Sequence, residues 1–240
     1  MRQKDGSHCE VDRGAVQVEG EPGGDHDADH GRLRDQILSG TLPAGSRLAQ
    51  YDLAESLNMS ITPLREAIRR LSSEGLVTVE THRDVRVSTM NSDEARQLFE
   101  VRLSLDPTAA ELAATRRTDA DIAAMQTAVG NLLPVTRQWG EEALTAHRAF
   151  HRTVYRASRN DVLIRLLDDL WDKSDRYRRL GLQLPPGDEP RTRDLQEHHR
   201  LVELIIDQEA AQAAQLMRDH ITHSLTATAI SALEDRETSS

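Results

Sequence analysis

Apolar positions between Arg32 and Ser88 come in short, punctuated groups, and after Ser92 they come in long stretches at helical spacing. Leu33, Ile37 and Leu38 share one face of a short helix, for which Gly40 is a C-terminal cap. Pro43 and Gly45 then make a turn. A second helix is predicted over 52–57, with Leu53, Ala54 and Leu57 on one side, and residues 58–60 break it. A third runs from Thr62 to Glu74, opened by Pro63 and closed by Gly75. Its stripe of Leu64, Ala67, Ile68 and Leu71 has the three-to-four spacing of a buried helix face. Residues 76–80 and 85–89 are β-prone runs, and 81–84 joins them as a hairpin. Helix, helix, turn, helix and hairpin is the layout of a winged helix-turn-helix.

Beyond Ser92 the pattern is helical throughout, with breaks near Thr118, at 134–140, at 159–160, in the Pro185-Pro186-Gly187 loop and at 207–208. These imply about six helices and no strands, an all-α bundle. Pro107 falls inside the first of them and should kink it. Residues 1–30 show no hydrophobic period and are rich in Gly, Asp, Glu and His, the composition of a disordered tail. His8, His26 and His30 could bind a metal only if something ordered them. The expected organisation is a tail over 1–30, a winged helix-turn-helix over 31–90 and an all-helical domain over 91–235, with structure starting at Arg32. The fold class is mainly α with one small β-hairpin.

Composition adds three constraints. Aromatics are only 3% of the chain, so the cores must come from aliphatic side chains, which favours helices. No apolar run reaches the roughly 18 residues of a membrane span, and the start MRQKDGSHCEVD lacks the apolar region of a secretory signal. With a single cysteine, Cys9, an internal disulfide is impossible, and a cytoplasmic location is expected. The net charge of −10 opposes nucleic-acid binding at first sight, but it is uneven: −5 over 1–30, +1 over 31–90 and −6 over the rest. The least acidic segment is the one with the helix-turn-helix pattern.

In such a unit the third helix enters the major groove by its N-terminal end. Here that end reads Ser60-Ile61-Thr62-Pro63-Leu64-Arg65. Ser60 and Thr62 can cap the helix and reach phosphate oxygens. Arg65 can reach a phosphate or a guanine edge. Arg69 extends the same face, and Arg70 is turned towards the backbone. His82 and Arg83 at the hairpin tip are placed to follow the adjacent minor groove. Three arginines alone also fit a solvated helix face. The block as a whole decides: GTLPAGSRL at 40–48, LAESL at 53–57 and MSITPLREAIRRLSSEGLV at 59–77. It resembles the DNA-binding domain of GntR-family regulators in residues and spacing from Leu33 to Val87. Two positions depart from the family pattern. Ile61 stands where an arginine is frequent, and Asp84 where the wing has a glycine, so an acidic tip would repel phosphate.

Six of the ten histidines lie between 147 and 223. His147 and His151 are four apart and share a helix face. His198 and His220 lie on successive helices that could run antiparallel. Histidines converging from three helices suit Zn²⁺ or another divalent transition metal. Surface or capping histidines are the other reading, preferred for His199 and His223. Residues 92–233 are similar to the FCD domain of FadR-type GntR regulators, through EVRLSLDPTAAELAA at 100–114, HRAFHRTVYRASRND at 147–161 and EHHRLVELIIDQEAAQAAQLMRDHI at 197–221. That resemblance implies a metal held by His147, His151, His198 and His220, with the metal helping to bind a carboxylate effector. His147 stands where the family has Asp, and an all-nitrogen site favours Zn²⁺ or Ni²⁺. The resemblance also places Arg102 as a carboxylate clamp, against the reading of an interhelical ion pair. Asn160 is read as a helix cap that could touch the pocket.

The sequence has no H-E-x-x-H, P-loop or G-x-S-x-G, so an enzyme such as a metal-dependent hydrolase is not expected. The expectation is a homodimeric repressor on a palindromic double-stranded operator, whose small-molecule effector changes the spacing of the two DNA-binding heads. An architectural DNA binder with a purely dimerising second domain is the alternative.

Overall fold

The computed structural model describes residues 26–80, 84–133, 140–183 and 192–238. The N-terminal unit has three helices, α1 (His26–Leu38), α2 (Gln50–Ser56) and α3 (Ile61–Ser73), then strands β1 (Val77–Val79) and β2 (Val85–Val87). The strands pair antiparallel, Val77 opposite Val87 and Val79 opposite Val85. Residues 45–48 lie along β2 as a third short segment, with Leu48 N–H donating to Val85 O at 2.7 Å and Val87 N–H to Ser46 O at 2.9 Å. One apolar core holds the unit together: Leu33 and Ile37 of α1, Leu53 of α2, the α3 stripe, and Val77, Val85 and Val87 of the wing. The α3 stripe is the one the spacing predicts. Asn58 before α3 and Gly75 after it both have positive φ, 53° and 75°, where the chain reverses.

The first helix starts earlier than the hydrophobic pattern indicates. Residues 26–30, expected in the tail, form the opening of α1, while 1–25 lie outside the described residues. Residues 26–30 carry no apolar stripe and are tied by polar contacts instead. The His30 ring N–H donates to Glu74 at 2.7 Å, and Arg70 donates to Asp27 at 2.6 Å. Periodicity has no access to such contacts.

From Ser92 the described residues form seven helices: α4 (Ser92–Arg116), α5 (Asp119–Gly130), α6 (Gly140–Ala157), α7 (Asp161–Gln183), α8 (Thr192–Ile206), α9 (Ala210–Thr222) and α10 (Leu225–Thr238). The pattern implied about six, because the apolar run continues across the α9–α10 junction. There His223 N–H and Ser224 N–H turn back to the carbonyls of His220 and Ile221. α4 is central and packs against α6, α7, α9 and α10. Ala109, Ala110, Ala113 and Ala114 are fully buried along it and allow close approach. α4 runs through Pro107, which has no N–H for the Leu103 carbonyl. Arg218 of α9 supplies that hydrogen bond at 2.9 Å.

α7 also reaches the N-terminal unit. Asp172 accepts from Arg34 of α1, Arg179 donates to the Leu38 carbonyl at the end of α1, and Arg176 donates to the Ser88 carbonyl after the wing. The opposite part of α7 lines the interior of the bundle.

Candidate functional site

The exposed end of α3 carries the residues expected to meet DNA. Ser60 is the N-cap in extended conformation, φ −78° and ψ 161°, but its side chain makes no cap bond. Its hydroxyl, like that of exposed Thr62, is not spent on the helix. Capping, read from sequence for these two, is therefore not their role. Arg65 donates through Nε to Oε1 of Gln50 at 3.2 Å. That bond links the starts of α2 and α3, and Arg47, Gln50, Tyr51, Asp52 and Arg65 line one cleft there. Tyr51 is 74% exposed. Arg69 is paired with Glu66 at 3.0 Å and Arg70 with Asp27 at 2.6 Å. Exposed pairs of this kind contribute little and exchange readily for phosphate.

Asp84 behaves differently from the sequence expectation. Its Oδ1 lies 2.7 Å from Nε of Arg47 in an ion pair and its Oδ2 accepts from Arg86 at 3.0 Å, so its charge is covered by two cations. His82 and Arg83 lie outside the described residues. Arg47, Gln50 and Tyr51 were missed from sequence. Their signal was position, at and just before the start of the helix that abuts α3.

The four histidines of the bundle meet. His147 and His151 come from α6, His198 from α8 and His220 from α9, and all are buried, at 8%, 0%, 2% and 6% exposure. Ring centroids are 4.5 Å apart for His147–His151 and for His198–His220, and 5.7 Å for His147–His220. One nitrogen from each ring lies within 4.8 Å of the others. His151 Nε2 and His198 Nε2 are 3.2 Å apart. Two ligands on a tetrahedral ion with bonds of about 2.0–2.1 Å are separated by about 3.3 Å. His199 and His223 are exposed and take no part.

The surroundings set the protonation of these rings. Burial, joined by the positive charge of Arg178 and by the neighbouring rings, holds His147 well below the usual histidine value. Burial and the other members of the cluster do the same for His151 and His198. Neutral rings are what ligation requires. Glu197 accepts the Nδ1 proton of His220 at 2.9 Å, which leaves the Nε2 lone pair free. Burial would raise the Glu197 carboxyl, but His220 and Arg193 hold it down at about 2. His151 Nδ1 is buried with no hydrogen-bond partner. Four buried imidazoles, a carboxylate behind one of them and an unsatisfied buried nitrogen fit a soft-to-borderline divalent metal.

Trp171 of α7 borders the cluster, its ring centroid 5.2 Å from that of His151. The guanidinium groups of Arg102 and Arg178 stack on it, at 4.4 and 4.6 Å. Arg102 is not a free clamp, nor is its ion pair interhelical. It binds Asp106 one turn on in α4, through NH2 at 2.9 Å and Nε at 3.3 Å. Tyr155 donates to the same carboxylate, and Trp171 Nε1 donates to the Tyr155 hydroxyl at 2.8 Å. Burial would loosen the Arg102 proton, but Asp106 outweighs it and the pKa rises. Asn160 is a cap: its Oδ1 accepts from Leu163 N–H at 3.2 Å at the start of α7. Glu197, Trp171 and Arg178 were not singled out from sequence. Only Glu197, beside His198 in the E-H motif, had a signal there.

A winged helix-turn-helix joined to a helical bundle with a buried histidine cluster defines a DNA-binding transcriptional regulator. Comparison with known proteins agrees. The model of "Bacterial regulatory proteins, gntR family" matches residues 30–87, and that of the FCD domain matches 97–223. The chain belongs to the GntR family and carries an FCD domain, and it is a regulator rather than an enzyme. It is 26% identical to the HTH-type transcriptional repressor GlaR of Escherichia coli K12 over 79% of this chain and 89% of that protein. It is 28% identical to the HTH-type transcriptional regulator LutR of Bacillus subtilis 168 over 78% of this chain and 93% of that one. The structure of E. coli McbR/YncC superposes with a TM-score of 0.70 at 22% identity, covering 88% of this chain and 98% of that one. No helix among the described residues is long and apolar enough to cross a membrane.

Proposed function

We propose that this chain is a homodimeric cytoplasmic repressor that leaves a roughly palindromic operator when a small carboxylate binds its helical domain. The observation that carries the reading is the buried four-histidine cluster on α6, α8 and α9. His151, His198 and His220 would hold a divalent transition metal, zinc or nickel by their all-nitrogen donor set, with His147 on the remaining side. Bound there, the metal supplies a positive, Lewis-acidic anchor for an anionic effector. On the N-terminal unit, Ser60, Thr62, Arg65, Arg69 and Arg70, joined by Arg47 and Tyr51, would meet phosphates and base edges. The wing residues His82 and Arg83 remain proposed contacts.

α7 is the element that both sites can bias. Trp171 and Arg178 face the histidine cluster, and Asp172, Arg176 and Arg179 hold α1 and the end of the wing. A ligand that shifts α7 therefore acts on the contacts that orient the DNA-binding unit. The test is operator binding by the full chain, metal-loaded and chelated, with a panel of short carboxylates. Operator fragments are first selected from genomic DNA. Release by a carboxylate only from the metal-loaded protein is the expected result. A chain that takes up no metal and keeps its operator in every carboxylate is an architectural DNA binder instead.

A further inference from the structure

Two arginines of α7 face the N-terminal unit, and they are not equivalent. Arg179 is fully engaged: its Nε and NH2 donate to the two oxygens of Glu141 at 2.7 and 2.9 Å, and its NH1 donates to the Leu38 carbonyl. Arg176, one turn earlier, makes one hydrogen bond among the described residues, from NH2 to the Ser88 carbonyl, and no ion pair among them. Glu94, whose charge reaches it, already accepts from the Tyr177 hydroxyl at 2.6 Å. Yet Arg176 is only 7% exposed. A guanidinium has five N–H groups, and a buried cation is costly unless it is paired and hydrogen-bonded. Burial loosens its proton, and the pull of Tyr177 and Glu94 does not make up for it.

Arg176 lines a cleft of about 200 Å³ where α7 meets the N-terminal unit. Most of the remaining lining is apolar: Ile37 at the end of α1, Pro43 and Ala44 of the following turn, Met90 after the wing, and Leu180 further along α7. A buried cation short of a counter-charge thus borders an apolar hollow. The volume is below the roughly 300–1,000 Å³ of sites for drug-sized ligands, which limits the occupant to one ring or a short branched chain.

We propose that this cleft binds a small organic carboxylate with a compact apolar body, its charge on Arg176 and its body against α1 and the turn after it. A planar carboxylate matches the guanidinium fork, and the apolar lining selects against a bare inorganic anion. The proposal goes beyond the metal-dependent reading above and does not rest on it, because the cleft shares no residue with the histidine cluster. A ligand seated there touches both units at once and favours one orientation of the DNA-binding unit over others.

The test is isothermal titration calorimetry on the full chain held in chelator, with benzoate as the probe. Benzoate should bind with a Kd of about 1 mM or tighter. Benzamide, of similar shape without the charge, and inorganic phosphate, charged without the apolar body, should each bind at least about tenfold more weakly. Arg176→Gln removes the charge, and Ala44→Phe puts a ring into the cleft from an exposed turn position. Each should weaken benzoate at least about tenfold. Far-ultraviolet circular dichroism checks folding, and Ala44→Phe carries the test if Arg176→Gln does not fold. Benzoate affinity unchanged in either folded variant overturns the proposal, and so does benzamide or phosphate binding as tightly as benzoate. Absence of benzoate binding in chelator also overturns it. If benzoate then binds the metal-loaded chain, the histidine-cluster reading stands without this one. A chain that takes up no metal but binds benzoate in this way leaves the proposal standing without that reading.

Discussion

Replacing Asp106 by Ala tests the polar network inside the bundle. Asp106 is fully buried, Arg102 is 4% exposed, and their two hydrogen bonds are 2.9 and 3.3 Å long. Removing the carboxylate leaves a guanidinium away from water beside the Trp171 ring and the Tyr155 hydroxyl, without a counter-charge on that carboxylate's side, and takes the acceptor from the Tyr155 hydroxyl. Breaking a buried pair in this way costs about 3–5 kcal/mol. For a chain of this length each kcal/mol corresponds to about 2–4 °C, so the transition should fall by about 6–20 °C. Urea unfolding followed by far-ultraviolet circular dichroism measures it directly. Arg102→Met combined with Asp106→Leu should recover most of the loss, because neither charge then needs a partner. A drop below about 1 kcal/mol for Asp106→Ala, the size of an exposed pair, would refute the reasoning. Arg102 would then be free to serve as the effector clamp that the family resemblance implies.

Arg65→Ala should weaken operator binding by about 1–3 kcal/mol in a gel-shift or anisotropy titration, and an unchanged affinity in a folded dimer would exclude α3 as the reading helix. Asp84→Ala releases Arg47 and Arg86 to phosphate, so the slope of log affinity against log salt should steepen by about one to two; an unchanged slope would mean that neither arginine reaches DNA. A chain starting at Gly31 should be about 1 kcal/mol less stable than one starting at Asp25, because it loses the bond from His30 to Glu74, and equal urea midpoints would contradict the placement of α1. In metal-free protein, His147, His151 and His198 lie well below the ordinary 6.5 when folded. The unfolded chain takes up protons first as the pH falls, so stability is full above about 6.5 and declines below it, by up to about 4 kcal/mol per pH unit for three rings. Denaturation at a series of pH values checks this, and a flat profile between 6.5 and 5 would show that the rings protonate in place.

Local pattern was enough for the winged unit. The α3 stripe, the turn at Asn58, the glycine after α3 and the two valine-rich strands each express their conformation within a few residues, by spacing or by backbone preference. The bundle was legible as helices for the same reason. The gathering of His147, His151, His198 and His220 came from the i, i+4 pair and the family resemblance, and three helices bring the rings together. What sequence could not supply were partners distant along the chain. Residues 26–30 join α1 because Glu74 and Arg70 receive them, and no periodicity records that. Asp84 reads as a repelling charge until Arg47, 37 positions earlier, covers it. Arg102 reads as a clamp until Asp106 and Tyr155 hold it. Arg178, 31 positions from His147 along the chain, meets Nδ1 of that ring at 3.0 Å. Each of these is electrostatic and depends on which groups the packing of helices and wing brings together, which local pattern along the chain does not record.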